Sequence, residues 1–294
     1  LITTPETLGI MIGNKSTRET LTDTKYVIID EFHELIGNER GTHLTLSLER
    51  LQELTPTKIV RIGLSATLGN VNAGLQLLSG EAYKSTAVLD HTKKEYDIAN
   101  KYIKGDLFEV ARVILKRLRE TNKATLLFTN TRVEAEAIGS ILKAKEPEFP
   151  IEIHHGSLSR ETREDAETRL RSGKPILVVC TSSLELGLDI GSIDNVMQFG
   201  SPRQAIKLMQ RMGRSKHRTG ETSTGIILTN RIDDELESLA LIDRVKQKDL
   251  EEISIHENSL DVLCHQITGM LMENGNIEID KVFKITKRAY PFRN

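Results

Sequence analysis

Apolar positions along the chain fall into short runs and helical stripes that alternate. Tyr26-Val27-Ile28-Ile29 is an unbroken apolar run and predicts a strand buried on both faces, as in a parallel sheet. A second strand is predicted over Lys58 to Leu64. Between them Leu44, Leu46, Leu48, Leu51 and Leu54 give an amphipathic helix from Thr42 to Leu54, opening after Gly41. The alternation resumes with a helix over Asp106 to Arg119, a strand over Ala124 to Phe128, and a helix over Arg132 to Lys145 closed by Pro147. A short strand, Glu152 to His154, leads to a charged helix, Arg160 to Arg171, stopped by Gly173. Strands follow at Pro175 to Cys180 and Asn195 to Phe199, then a helix at Arg203 to Met212 and a last strand at Gly225 to Leu228. Alternating β and α elements imply parallel sheets with helices on both faces.

The expected fold class is therefore α/β, in two successive parallel-sheet units. Residues 1–84 form the later part of the first, 105–231 form the second, and the polar stretch 85–104 is a linker able to carry edge strands. From Ile232 the pattern turns helical, through Asp261 to Glu273, and ends with Ile277 to Ile285. Residues 232–294 are expected to open a small helical or winged-helix domain.

Composition narrows the class. A chain of 294 residues accommodates two domains of ordinary size. No apolar run approaches the ~20 residues that cross a bilayer, so no membrane partner is expected. Cys180 and Cys264 form neither a disulfide framework nor a metal-ligand cluster, which fits a reducing, cytoplasmic setting. The net charge of −2 argues against a whole-molecule polyanion binder. Locally, Gln198 to Gly220 contains no acid but carries Arg203, Lys207, Arg211, Arg214, Lys216, His217 and Arg218. An unmixed basic stretch of this kind points to phosphate groups, of a nucleotide or of a nucleic acid. With 4% aromatics and no Trp, extensive base stacking is not expected, and recognition should be of backbone.

Three groups of residues carry chemistry. Asp30-Glu31-Phe32-His33 closes the first strand, on the edge where open α/β sheets bind ligands. Ser65-Ala66-Thr67 closes the second strand; alone it reads as a helix cap. Gln210-Arg211-Met212-Gly213-Arg214 offers planar guanidinium forks suited to an oxygen cluster. In this order, an acidic metal-holding pair, a hydroxyl linker and an arginine finger describe a nucleic-acid motor driven by nucleotide hydrolysis.

Thr4-Pro5-Glu6, Asp30 to His33, Ser65 to Thr67, Thr181 to Asp189 and Gln210 to Arg214 resemble motifs Ib, II, III, V and VI of superfamily-2 DExH helicases. Arg40-Gly41 with the stretch to Leu51, Leu68, Asp261-Val262-Leu263, and Arg288-Ala289-Tyr290-Pro291-Phe292-Arg293 narrow the resemblance to the large helicase-related (Lhr) family. It covers nearly the whole chain. It implies two RecA-like domains followed by a winged helix, ATP and Mg²⁺ as cofactors, and single-stranded nucleic acid as partner, with DNA favoured and RNA possible. It also implies unwinding of duplexes that include RNA–DNA hybrids. A Ski-type RNA helicase and a non-hydrolysing nucleic-acid-binding protein with a decayed motor are the alternatives. The Gly-rich phosphate loop with its lysine is not in the chain; in the family it precedes Thr4, so the chain is expected to be a fragment.

The resemblance also implies roles. Asp30 and Glu31 hold Mg²⁺, with Glu31 activating the attacking water. Arg214 is the arginine finger, Arg211 its neighbouring candidate, and Gln210 helps to place the water. Gly187 and Asp189 are assigned to ATP, Asp189 accepting from the ribose, although a carboxylate at Asp189 also suits a plain solvated turn. Arg218 is placed at the nucleotide, but Lys216 replaces the Gly that motif VI usually carries, a departure that bears on whether Arg218 reaches it. His33, Ser65 and Thr67 link nucleotide to cleft. Nucleic-acid backbone is assigned to Thr4, Pro5 and Glu6, to Thr129, Thr131 and Arg132, to His155, and to Thr181, Ser182 and Ser183. The hydroxyls in these sets open helices, where free N–H groups and the helix dipole favour phosphate oxygens.

Overall fold

The computed structural model describes residues 1–65, 69–81, 83–90, 95–185, 193–215 and 222–294. These form two compact units, Leu1–Leu89 with Glu252–Asn294, and Asp90–Glu251. The chain enters the first unit through α1 (Pro5–Gly13), α2 (Lys15–Arg18), β1 (Tyr26–Ile29), α3 (Glu39–Leu54), β2 (Val60–Gly63) and α4 (Val71–Ser79). The two strands pair in parallel, Tyr26 opposite Val60 and Ile29 opposite Gly63. Ile29 packs on a core that includes Leu8, Ile12, Leu44, Leu48 and Leu77. Tyr26, Ile28, Val60, Ile62 and Leu64 are exposed. Successive side chains point to opposite faces of a sheet, and among the described residues only one face is covered. α3 starts where Asn38 Oδ1 accepts from the Gly41 amide at 3.2 Å. A Cβ at Gly41 would lie 1.8 Å from the Leu35 carbonyl oxygen, so no larger residue fits there.

The second unit contains β3 (Tyr96–Tyr102), α5 (Leu107–Thr121), β4 (Thr125–Phe128), α6 (Arg132–Lys145), β5 (Ile151–His154), α7 (Arg160–Arg171), β6 (Leu177–Cys180), β7 (Asn195–Phe199), α8 (Ala205–Met212), β8 (Ser223–Thr229) and α9 (Ile232–Gln247). Its six strands lie in the order β3-β8-β7-β4-β6-β5 and pair in parallel throughout. Alternation along the strands divides the core in two. Leu126, Phe128, Val178 and Cys180 join Leu208, Met212, Leu241 and Val245 on one face. Leu127, Leu177 and Val179 join Val110, Ile114, Ile138 and Leu142 on the other. The unit extends past both boundaries expected from the sequence. The segment read as a linker holds β3, whose seven residues all pair with β8 at the sheet edge. α9, assigned by pattern to the terminal domain, packs Leu241, Ile242 and Val245 into this core.

The chain returns to the first unit as α10 (Leu260–Asn274) and α11 (Ile279–Arg288), followed by a single 3-10 turn at Tyr290–Phe292. Val262, Ala289 and Phe292 pack around Leu46 of α3.

Candidate functional site

The parallel ladder of β1 and β2 continues beyond the strands. The Leu64 amide donates to the Ile29 carbonyl at 2.8 Å, and the Phe32 amide donates to the Leu64 carbonyl at 2.8 Å. This places Ser65 beside the turn that follows Asp30. The Asp30 carboxylate accepts from the Glu31 amide at 2.9 Å. Glu31 adopts the left-handed conformation, φ 48 and ψ 42, which costs a residue with a Cβ about 1–2 kcal/mol. Strain of this kind concentrates at functional sites. His33 is buried, with Nδ1 3.1 Å from Ser65 Oγ and 3.7 Å from Glu31 Oε2. The structure thus brings Asp30, Glu31, His33 and Ser65 together; Thr67 lies outside the described residues. The adjacent carboxylates form an oxygen-only pair that fits a hard cation such as Mg²⁺, whose shell is completed by water and phosphate. No group of three or more His, Cys, Asp or Glu residues placed to hold a metal occurs among the described residues.

At the start of α1, Thr4 Oγ1 accepts from the Thr7 amide at 3.2 Å, and Pro5 occupies the first turn. Glu6 is bound by Arg40 Nε at 2.6 Å, and this hydrogen bond holds its carboxyl down to about 2. Its charge is matched to Arg40, with both side chains about half exposed.

In the second sheet β4, β6 and β5 are neighbours, with Phe128 and His154 both opposite Cys180. The residues that follow, Thr129, Thr181 and His155, therefore share one carboxyl edge. Their surroundings differ. Thr129 is fully buried, and its hydroxyl donates to the Thr131 carbonyl at 3.0 Å, so it holds the turn together. Thr131 forms a capping box with Glu134 and remains exposed. Arg132 is exposed and donates to Ser157 Oγ at 3.2 Å, joining the start of α6 to the loop after β5. His155 is buried; Nδ1 accepts from the Ser157 amide at 3.3 Å and Nε2 donates to Glu136 at 2.8 Å. Both ring nitrogens are used within the fold. His154 lies 2.8 Å from Ser183 Oγ and 3.1 Å from Glu167 Oε1. Burial lowers its proton affinity, against the pull of Glu167, so it sits as a neutral ring donating to the carboxylate. Ser183 is therefore occupied by His154, while Ser182 is exposed and Thr181 half-buried.

The basic stretch resolves into separate tasks. Arg211 is 4% exposed, and its guanidinium bonds Glu185 at 3.2 Å, Asn130 at 3.2 Å and Gln198 at 2.6 Å, with the Phe128 ring centroid 5.5 Å away. It is a buried cation whose partners all lie within the fold. Arg214 is half-buried, and its Nε and Nη2 donate to the Glu185 carbonyl at 2.9 and 2.6 Å. Gln210 is half-buried on α8, beside Arg211. Arg203 pairs with Asp234 at 2.8 Å and Glu237 at 2.6 Å on α9. Glu251 closes the start of α8, accepting from the Ala205 and Ile206 amides at 2.6 and 3.1 Å. Burial alone would raise its carboxyl, but these amides prevail and lower it. Gly187, Asp189 and Arg218 lie outside the described residues.

Glu185, Gln198 and Asn130 were missed by the sequence reading. The only available signal for Glu185 was a lone carboxylate between Leu184 and Leu186.

Comparison with known proteins follows this division. A DEAD/DEAH box helicase model matches residues 1–73, and a helicase conserved C-terminal domain model matches residues 106–220. The ATP-dependent helicase Lhr-Core protein 2 of Thermococcus barophilus is 41% identical over 100% of this chain and 36% of its own length. The ATP-dependent helicase Lhr-Core of Methanocaldococcus jannaschii is 39% identical over 100% of this chain and 35% of its own. The chain thus spans about a third of the length of the curated relatives it matches. The structure of Mycobacterium smegmatis helicase Lhr bound to ssDNA and AMP-PNP matches with a TM-score of 0.91 and 35% identity, covering 100% of this chain and 40% of that one.

Proposed function

This chain belongs to the Lhr family of ATP-dependent helicases, and we propose that it carries part of an ATP-driven translocase acting on single-stranded DNA. The observation that carries the reading is the convergence of Asp30, Glu31, His33 and Ser65 at one strand end, with Glu31 held in a left-handed conformation. Asp30 and Glu31 would hold Mg²⁺, which neutralises phosphate charge when bound. Glu31 would orient and deprotonate the attacking water, since positioning and charge neutralisation supply most of the rate in phosphoryl transfer. Arg214 would exchange the Glu185 carbonyl for phosphate oxygens when the two units close, coupling hydrolysis to motion. Gly187, Asp189 and Arg218 are assigned to the nucleotide, and Gln210 to the water.

Single-strand backbone is assigned to Thr4, Pro5, Thr131, Arg132, Thr181 and Ser182. The M. smegmatis relative was solved with ssDNA, which favours DNA over RNA here, and RNA–DNA hybrids are within the same reading. Residues 252–294 would open a winged-helix domain, and a cytoplasmic location belongs to the same account.

The test uses the full-length protein. Hydrolysis of ATP should be stimulated by single-stranded DNA. Glu31→Gln should abolish turnover while ATP and Mg²⁺ still bind, whereas Asp30→Ala should also weaken the metal. Equal loss of nucleotide affinity in both variants would show that the two roles are wrongly divided.

A further inference from the structure

The sequence Arg288-Ala289-Tyr290-Pro291-Phe292-Arg293 is assigned no role in catalysis or strand binding, yet its first residue bonds two acids of α3, one of them Glu49, whose side chain is buried. Arg288 Nε donates to Glu49 Oε2 at 2.8 Å, and its Nη2 lies 2.7 Å from Glu53 Oε1. Both acids are on α3. Glu49, 1% exposed at its side chain, also pairs through Oε1 with Arg61 Nη1 at 2.7 Å. Arg61 is on β2, its side chain 3% exposed and lying 4.3 Å from the Tyr83 ring centroid. The backbone takes part as well. The Arg288 carbonyl accepts from the Glu81 amide at 2.9 Å. Gly80, at φ +56, approaches that carbonyl so closely that a Cβ would lie 2.1 Å from it.

Two arginines, Arg61 with a buried side chain and Arg288 with a half-buried one, therefore share one glutamate, and Arg61 stands on the strand that ends in the site. From Arg61, β2 runs through Gly63 to Leu64, which is bonded on both sides to the Asp30 strand, and then to Ser65, which bonds His33. Among the described residues β2 pairs with β1, and Arg61 ties it through Glu49 to α3. Removing one member of a buried, hydrogen-bonded ion set leaves a charge uncompensated, and the neighbours must shift to meet it.

We propose that Arg288 is a positioning residue. Through Glu49 and Arg61 it sets β2, and with it Ser65 against His33, so that the C-terminal helices take part in the response of hydrolysis to the bound strand. The inference rests on the proposed ATPase reading, and the experiment separates the two. In the full-length protein, ATP turnover is measured with and without single-stranded DNA for wild type, Arg288→Lys, Arg288→Met, Ser65→Ala and both doubles. Lysine keeps the charge and lacks the two-acceptor fork, so it should fold even where methionine does not. Each Arg288 variant should lower the stimulation ratio by about tenfold, an ordinary coupling magnitude. In the Ser65→Ala background the same change should have little further effect, because the route is already cut. A ratio unchanged in Arg288→Lys, or a loss that multiplies fully with Ser65→Ala, would overturn the proposal and leave Arg288 a stabilising contact. Wild-type protein without strand-stimulated turnover would instead refute the ATPase reading.

Discussion

Arg211→Ala should destabilise the second unit strongly. The substitution removes the guanidinium that serves Glu185, Asn130 and Gln198, and takes from Glu185, 3% exposed, its ion pair with Arg211 in the interior. Breaking a buried pair in this way costs about 3–5 kcal/mol. For a unit of this size each kcal/mol shifts Tm by about 2–4 °C, so its melting should fall by roughly 6–20 °C. Arg214→Ala, which removes two hydrogen bonds to the Glu185 carbonyl from a half-buried side chain, should cost about 1–3 kcal/mol. The assay is calorimetric melting of the 294-residue chain. A control replaces both buried charges, Glu185→Leu with Arg211→Met, and should recover most of the loss, since apolar side chains of similar volume substitute well for buried pairs. If Arg211→Ala melts with wild type, or the double variant is no better than the single, Arg211 is not the structural cation described here.

Other consequences follow from particular residues. The 294-residue chain alone should show no metal-dependent ATP turnover, because it contains no Gly-x-x-x-x-Gly-Lys-Ser/Thr loop; strand-stimulated hydrolysis by the purified chain would refute this. Arg132→Ala should flatten the salt dependence of single-strand binding by about 0.7 in log–log slope, the value for one phosphate contact, while Thr129→Ala should lower stability and leave the slope alone. The Glu6–Arg40 pair should contribute fully above the ordinary carboxylate range near pH 4.5 and lose its effect as pH falls through about 2. Because the pair is half-exposed its worth is under about 1 kcal/mol, so Glu6→Gln should flatten the acid limb of the melting curve only slightly.

The second sheet was legible because its strands are buried runs and its helices carry clear stops such as Pro147 and Gly173. β3 was not, since an edge strand reading Tyr96-Asp97-Ile98-Ala99-Asn100-Lys101-Tyr102 has one covered side and a weak apolar signal. The motifs located the site, but the sequence could not say which way a side chain turns at a strand end. Thr129 turns inward and Thr131 stays at the surface, though both are threonines two positions apart. Arg211 and Glu185 are 26 residues apart, so their pairing is a product of sheet order. The same holds for Arg203, whose acidic partners lie on α9. A run of basic residues counted along the chain overstates the positive surface whenever carboxylates from other elements fold onto it.

The measurement closest to the central claim is a pair of assays on full-length Arg214→Ala. If Arg214 leaves the Glu185 carbonyl to meet the nucleotide, hydrolysis should slow by roughly a thousandfold, the lower end for an arginine finger, with single-strand affinity little changed. Loss of strand binding with basal hydrolysis intact would contradict the account and make Arg214 part of the nucleic-acid surface.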